Sequence, residues 1–314
     1  METRTIGSLE VSTVGLGCNN FGARIDAARA AEVVHAALDA GVTLFDTADI
    51  YGATKSETFL GAALGSRRGE AVIATKFGGP IDEERKGASG AYVKRAAEDS
   101  LKRLGTDHID LYQLHFPDQS VPIEETLGAL DELVREGKVR EIGSSNFSAA
   151  LIEEADGVSR ERGFARFVSV QNEYSLLNRT PERHALTACE KFGVAFIPYF
   201  PLASGVLTGK YQRGEVPPPQ TRLANAPQER VERALSDRNF DVVEALEQWA
   251  SDHGHPLLDL AMSWLLHRPV VASVIAGATR PEQVRANAEA ASWKLTDAEV
   301  AEVDEITAPL MRKD

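Results

Sequence analysis

Thr43-Leu44-Phe45-Asp46-Thr47-Ala48-Asp49-Ile50-Tyr51-Gly52 opens as a short apolar run, reaches a carboxylate at Asp46 and continues into a polar loop carrying Tyr51. The apolar part is not polar on alternate residues, which is the pattern of a strand buried on both faces. The same arrangement recurs along the chain. Val72-Ile73-Ala74-Thr75-Lys76 ends on a lysine, and Leu111-Tyr112-Gln113-Leu114-His115 ends on a histidine. Short apolar runs bounded by turn residues predict eight strands, at 13–17, 43–46, 72–76, 109–115, 141–145, 167–172, 194–199 and 273–277.

The segments between these runs carry helical signals. Asp26 can cap a helix whose apolar positions include Ala30, Val33, Val34, Ala37 and Leu38, with Gly41 beyond its end. Ser89 precedes Val93, Ala96, Ala97, Leu101 and Leu104, stopped by Gly105. Pro122 opens a helix through Leu127, Leu130, Leu133 and Val134, stopped by Gly137. Eight strands alternating with helices predict an α/β fold, a closed (β/α)8 barrel, ahead of an open doubly wound sheet. A hairpin precedes it: Arg4-Thr5-Ile6, a Gly7-Ser8 turn, then Leu9-Glu10-Val11. The segment 204–239, with Pro217-Pro218-Pro219, is long for a connection and reads as a loop with short helical turns over the barrel mouth. Thr296-Asp297-Ala298-Glu299 is a capping box for a last helix. No linker interrupts the chain, so residues 1–314 read as one domain.

Composition narrows the function classes. With 34 basic and 47 acidic residues the net charge is −13, which disfavours nucleic acid and anionic membranes as partners. No apolar run approaches the ~18 residues of a membrane span. The N-terminus leads into a polar hairpin rather than an apolar leader, and two cysteines, Cys18 and Cys189, make no disulfide framework. A cytoplasmic protein is expected. His253 and His255 lack partners at ligand spacing and read as a solvated helix end, so no metal is expected.

Strand C-termini of a parallel barrel converge on one face, so Asp46, Tyr51, Lys76 and His115 should meet. A phenol is a poor acid at neutral pH unless a cation lowers its pKa, and Lys76 could supply that cation. A buried lysine needs a partner, for which Asp46 is suited. His115 could hydrogen-bond a substrate oxygen. Singly, each side chain has a structural explanation; one at each of three strand ends is a proton-donating apparatus for a carbonyl.

The runs 45–52, 74–76, 110–115, 137–147, 170–174, 199–210 and 275–283, in order over nearly the whole chain, resemble the signatures of the aldo-keto reductases. The resemblance implies a TIM barrel that reduces aldehydes or ketones with NADPH, without metal, by direct hydride transfer. It implies Asp46, Tyr51, Lys76 and His115 as the catalytic tetrad, with Tyr51 as general acid in reduction and base in oxidation. It implies that Ser145, Asn146 and Gln171 hold the nicotinamide carboxamide and that Tyr199 stacks under the ring. Gly17, Asn19, Phe200, Pro201, Leu202, Ser204, Gly205, Leu207, Lys210 and Gly277 complete the implied cofactor contacts, and Gln283 and Asn287 would face the adenine. Thr279-Arg280-Pro281-Glu282 reads as a capping box, and Arg280 at a helix start works against the dipole unless an anion sits there. That favours a 2′-phosphate, hence NADP(H) over NAD(H). Gly15-Leu16-Gly17-Cys18-Asn19-Asn20 is not a Rossmann fingerprint, because Asn20 stands at the third glycine position.

Three departures from the family pattern bear on the cofactor grip: Phe200 stands where many relatives have a small hydroxyl residue, Ala276 replaces a common proline, and Ala286 a common acid. Phe21, Ile50, Phe77 and Phe116 are expected to line a substrate pocket with parts of 204–239, giving an apolar or flat face. Sugar, steroid, pyridoxal and simple aromatic aldehydes all remain candidates. Two other readings compete: a nucleotide-sensing partner protein on the same fold, as potassium-channel β subunits exemplify, and a metal-dependent barrel hydrolase, for which no ligand cluster stands at the strand ends. Oligomeric state is open, with a monomer favoured.

Overall fold

The computed structural model describes residues 1–311. Among the described residues ten strands occur: β1 (Thr3–Ile6), β2 (Leu9–Ser12), β3 (Val14–Gly17), β4 (Leu44–Asp46), β5 (Val72–Phe77), β6 (Ile109–Leu114), β7 (Val139–Ser145), β8 (Phe167–Glu173), β9 (Ala195–Tyr199) and β10 (Val274–Gly277). β3 to β10 form one parallel sheet in the order β10-β3-β4-β5-β6-β7-β8-β9. The ends meet just ahead of β10: Phe196 N–H donates to Val270 O (2.8 Å), and Ala272 N–H donates to Phe196 O (2.9 Å). The eight predicted strands are therefore the barrel, and the open-sheet alternative falls.

Strand alternation divides the interior. Leu44, Ala74, Leu111, Ile197 and Ile275 point into the barrel and pack on Ile6, Leu9 and Val11 of the hairpin. Their neighbours Phe45, Ile73, Phe77, Tyr112 and Leu114 point outward into the layer shared with the helices. The hairpin thus plugs the N-terminal end of the barrel. Arg4 fixes it there, its guanidinium donating to the carbonyls of Leu266 (2.7 Å), Arg268 (3.1 Å) and Val271 (2.5 Å). The turn has a left-handed Gly7 (φ 58°).

The helices form where their signals stood. Asp26 caps Ala27–Asp39 by accepting from Arg29 N–H, and Ala30, Val33, Val34, Ala37 and Leu38 are buried. Gly90–Leu104 and Ile123–Arg135 bury the apolar positions read for them, with Val134 half-buried. Thr296 and Glu299 make the reciprocal bonds of a capping box. The box at 279–282 differs. Arg280, not Thr279, is the cap residue of Pro281–Ala290, and Gln283 rather than Glu282 reaches back, accepting from Thr279 N–H at 2.8 Å. With Arg280 at the cap, Gln283 is the third helical residue, the one whose side chain reaches back. The segment 204–239 contains a 3-10 turn, Ala203–Thr208, and a helix, Gln228–Ala234, before Asp237–Asp252 begins. His253 ends that last helix, stacked on Trp249 (3.9 Å between ring centroids). No helix is long and apolar enough to cross a membrane among the described residues.

Close helix packing makes one glycine obligatory. A Cβ on Gly61, within helix Lys55–Leu64, would lie 2.6 Å from the carbonyl carbon of Leu104 and closer to its oxygen. Backbone on both sides leaves no side chain to give way. Gly157 lies in helix Ala149–Arg162 with nothing within 4 Å. Gly61→Ala is expected to lose about 2 kcal/mol despite its better helix propensity, and Gly157→Ala to gain about 0.5–1 kcal/mol. Equilibrium urea unfolding of both variants checks the contrast, and a neutral Gly61→Ala would refute the packing argument.

Candidate active site

Asp46 and Lys76 lie on inward positions of their strands, in line with Leu44 and Ala74. They therefore meet inside the barrel mouth. Lys76 Nζ donates to Asp46 Oδ2 (2.7 Å), to Thr47 O (2.9 Å) and to the Tyr51 hydroxyl (3.4 Å). All three ammonium donors are thus used in a side chain with no exposure to solvent. Asp46 Oδ1 accepts from Gln171 Nε2 (2.8 Å) and from Gln113 Nε2 (3.4 Å). Gln113 pairs with Lys76 in the β5–β6 register, which places its amide beside the ion pair.

Tyr51 reaches this group from the β4 loop. Gly52, Ala53 and Thr54 are all left-handed, with φ of 58°, 53° and 73°. Gly52 packs so close to Phe21 O that a Cβ could not be added. Strain in two non-glycine residues marks a loop held by its surroundings. The helix that follows supplies the hold. Ser56 Oγ donates to Cys18 O (2.8 Å) and shares a hydrogen bond with Thr47 Oγ1 (2.8 Å). Buried Glu57 accepts from Thr75 Oγ1 (2.6 Å) and Arg103 Nε (2.6 Å). His115 follows β6, with its ring edge-on to Tyr51 (centroids 5.7 Å apart) and stacked beneath exposed Phe116 (4.5 Å).

Burial dominates the electrostatics. It pushes the Tyr51 hydroxyl above its ordinary pKa, with Lys76 pulling the other way. The expected net lowering by Lys76 is not what the closed site gives, because desolvation of a phenolate outweighs one cation at 3.4 Å. Burial disfavours the Lys76 charge, but Asp46 and Tyr51 more than offset it and its pKa is raised. Burial, then the Lys76 charge, holds His115 down to about 3, so its ring is neutral at physiological pH.

These groups form one end of a cavity of about 620 Å³, the scale of a small-molecule site. Asp46, Tyr51, His115 and Phe116 line it with sixteen of the other residues singled out in the sequence: Gly17, Asn19, Ser145, Asn146, Gln171, Tyr199, Phe200, Pro201, Leu202, Ser204, Gly205, Lys210, Gly277, Thr279, Gln283 and Asn287. Asn146 (φ 61°) ties three elements together, donating to His115 O (3.0 Å) and accepting from the Tyr199 hydroxyl (2.8 Å). Ser145 Oγ donates to Gln171 O (2.8 Å).

Other expected positions lie elsewhere. Phe77 sits one residue past inward-facing Lys76, so it points outward and packs on Tyr112 (4.7 Å). Phe21 is fully buried in the same layer. Ile50 is half-buried beside Gly79. None of the three lines the cavity, whereas Phe116 and parts of the 204–239 segment do. Leu207 is wholly buried beneath the wall, and Arg280 is exposed at its helix cap. The lining also includes Gln220, Thr221 and Arg222, from the segment expected over the mouth but with no signal of their own, and Asn20 and Arg24, for which no pocket role was read. Gln113 had one: it shares strand parity with Leu111. Among the described residues no His, Cys, Asp or Glu cluster could hold a metal.

A neutral buried histidine opposes folding in acid. The unfolded chain binds a proton near the ordinary value of 6.5, whereas the folded site resists until about 3. Stability from this group is complete above about pH 6.5 and falls as pH drops through that window. Between pH 7 and pH 5, wild type is expected to lose about 2 kcal/mol more than His115→Asn. Thermal unfolding at both pH values reads the difference, and equal losses would disprove the buried neutral ring.

Comparison with known proteins gives a concordant result. Residues 13–308 match the sequence profile of the aldo/keto reductase family. The chain is 36% identical over 291 residues to an uncharacterized oxidoreductase, YrpG, of Bacillus subtilis, covering 88% of this chain and 86% of that protein. It is 36% identical over 305 residues to a probable aldo-keto reductase 1 of Glycine max, covering 94% and 85%. It is 35% identical over 299 residues to a probable voltage-gated potassium channel subunit beta of Arabidopsis thaliana, covering 92% and 91%. A match across nearly the whole barrel, to a family and to relatives of this identity, establishes that the chain belongs to the aldo/keto reductase family.

Proposed function

We propose that this protein is an NADP(H)-dependent carbonyl reductase in which Asp46, Tyr51, Lys76 and His115 act together, the cavity taking both dinucleotide and substrate. The observation that carries the reading is the Asp46–Lys76–Tyr51 chain at the cavity end, with neutral His115 beside it.

The residues present suit a dinucleotide. Asn19 Oδ1 is buried without a partner. A Cβ on Gly277 would crowd Asn20 Nδ2 (3.2 Å) and Asn19 Oδ1 (3.3 Å), so the bare backbone leaves a cradle at the strand end. Lys210, which lines the cavity, has no ion-pair partner among the described residues. Ser145, Asn146 and Gln171 would hold the nicotinamide amide, Tyr199 its ring face, and Lys210 the pyrophosphate. Arg280, at the start of Pro281–Ala290, would meet a 2′-phosphate, with Gln283 and Asn287 beside the adenine. When bound, the reduced nicotinamide supplies the hydride.

Tyr51 donates its proton to the carbonyl oxygen as the carbon is reduced, and the tyrosinate that forms sits beside the Lys76 ammonium. Asp46 keeps that ammonium charged and pointed. His115, neutral, orients the carbonyl oxygen by a hydrogen bond. Tyr51 remains protonated through neutral pH because burial raises it, which suits the reductive direction. The charge balance and the family support reading the protein as cytoplasmic, with residues 1–314 as one barrel domain.

Tyr51→Phe is expected to lower turnover by about 100- to 10,000-fold while NADPH binding, followed by fluorescence titration, stays within about threefold. Parallel loss of both would remove the general-acid assignment. Arg280→Ala is expected to weaken NADPH about tenfold or more and leave NADH nearly unchanged; equal effects would remove the 2′-phosphate assignment. The resemblance to a channel β subunit keeps one other reading open, a nucleotide-binding partner protein. Tight NADPH binding with no turnover of any aldehyde, ketone or sugar would favour it.

A further inference from the structure

Asp49 is a buried acid that the proposed mechanism leaves unused. It lies two residues before Tyr51, in the loop between β4 and helix Lys55–Leu64, and is 1% exposed. Neither of its carboxyl oxygens has a hydrogen-bond partner among the described residues, although the Ile50 N–H approaches them. Other buried acids are met by cations: Asp46 by Lys76, Glu57 by Arg103 and Asp110 by Arg68. An anion enclosed without donors is too costly to persist, and such a group takes up a proton instead.

The surroundings offer Asp49 no free cation. Thr75 adjoins inward-facing Lys76, so alternation turns it outward, opposite Tyr112 in the β5–β6 register. Glu57 reaches this layer, accepting from Thr75 Oγ1 and Arg103 Nε, both at 2.6 Å. Arg103 also donates to Ser100 Oγ (3.1 Å), so its guanidinium is already committed. The Tyr112 hydroxyl is buried without a partner. Five titratable groups act on Asp49 or feel its charge: Glu57 from helix Lys55–Leu64, Tyr92 and Arg103 from helix Gly90–Leu104, Lys76 from β5 and Tyr112 from β6. Burial first, then Glu57, push the Asp49 carboxyl up to about 7, against the pull of Arg103 and Lys76.

The loop couples this group to Tyr51. Asp49 N–H donates to Lys76 O (3.1 Å), Tyr51 N–H to Ala48 O (3.2 Å), and Ser56 N–H to Tyr51 O (3.2 Å). The left-handed residues 52–54 that follow are held by their surroundings. An ionised Asp49 would be a second anion beside Glu57, with one arginine for both. Relief requires Asp49 to turn toward water or to draw Arg103 off Glu57, and either movement disturbs the loop. The Tyr51 hydroxyl stands 3.4 Å from Lys76 Nζ, so a small shift breaks that contact.

We propose that Asp49 is a positioning residue for Tyr51: as a neutral acid it lets the loop hold the phenol beside Lys76, and once ionised it loosens the loop and withdraws the phenol. The alkaline limit of the reaction is thereby set by a side chain outside the cavity. This goes beyond the proposed function and rests on Tyr51 as its acid.

The test is a pH profile of single-turnover hydride transfer from saturating NADPH to benzaldehyde, for wild type and Asp49→Asn. His115, held down to about 3, and Tyr51, raised above its ordinary value, do not titrate near neutrality. Wild type is expected to slow about tenfold or more as pH rises from about 6 to about 8.5. Asp49→Asn keeps the neutral shape and should stay within about twofold over that range. The same fall in both proteins would overturn the proposal, as would no fall in wild type. If wild type reduces no carbonyl, the reductase reading fails separately, and hydrogen exchange of residues 47–58, corrected for intrinsic rates, decides the loop. Protection that wild type loses above about pH 7 and Asp49→Asn keeps supports the switch. Wild-type protection equal on both sides of neutrality overturns it, even if the variant does not fold.

Discussion

The Lys76–Asp46 ion pair, closed off from water at the mouth of the barrel, is the contact on which the site depends. An ammonium without solvent survives only if its charge is matched and its protons are taken, and both conditions are met within one strand spacing. Breaking such a pair by removing one member costs on the order of 3–5 kcal/mol, because the other charge is left stranded. The arrangement therefore specifies geometry more than it adds stability. Lys76 has three fixed acceptors, and the third is the Tyr51 hydroxyl. Asp46 is fixed in turn by the amides of Gln171 and Gln113. Four strands thereby converge on one phenol.

Closure of the barrel makes that convergence possible. Parallel strands present their C-terminal ends on one face, and the period-two alternation puts alternate residues of each strand on the axis. The lower levels are filled by Leu44, Ala74 and Leu111 against the hairpin, which leaves the top level free to be polar. The hairpin, held by Arg4, closes the other end with apolar side chains. An aqueous opening below Lys76 would weaken its electrostatic coupling to Asp46 and Tyr51, since that coupling relies on a low local dielectric.

Net charge and site charge have opposite signs. At −13 the chain as a whole repels anions, yet Arg24, Lys210 and Arg222 line its cavity, where Asp46 is the one carboxylate among the described lining residues. Most acidic residues elsewhere reach solvent, so their fields are screened over about 10 Å, and buried ones such as Glu57 and Asp110 are paired with arginines. The local cations, partly enclosed, are screened far less. Average charge thus says what the outer surface avoids and little about what the cavity accepts.

The sequence by itself determined the barrel and the four side chains that meet at its mouth, Asp46, Tyr51, Lys76 and His115, because both are written locally. Buried strands read as apolar runs, helices as 3.6-residue periods with caps, and those four groups as polar residues at or just past the ends of the runs. Phe77 shows where local reading stops: it adjoins Lys76 in sequence, but alternation turns it to the opposite face of the sheet. Phe21 likewise reads as a mouth residue and proves to be core. Arg222 and Arg24 are unremarkable arginines in loops about 200 residues apart, joined only when Gln220 accepts from Arg24 across the cavity. Tertiary structure alone decided the pocket wall, the cap at Arg280 and the pKa of Tyr51. Each depends on which groups from distant segments exclude water from the same point, and desolvation is a property of the assembled surroundings rather than of any residue's neighbours in the chain.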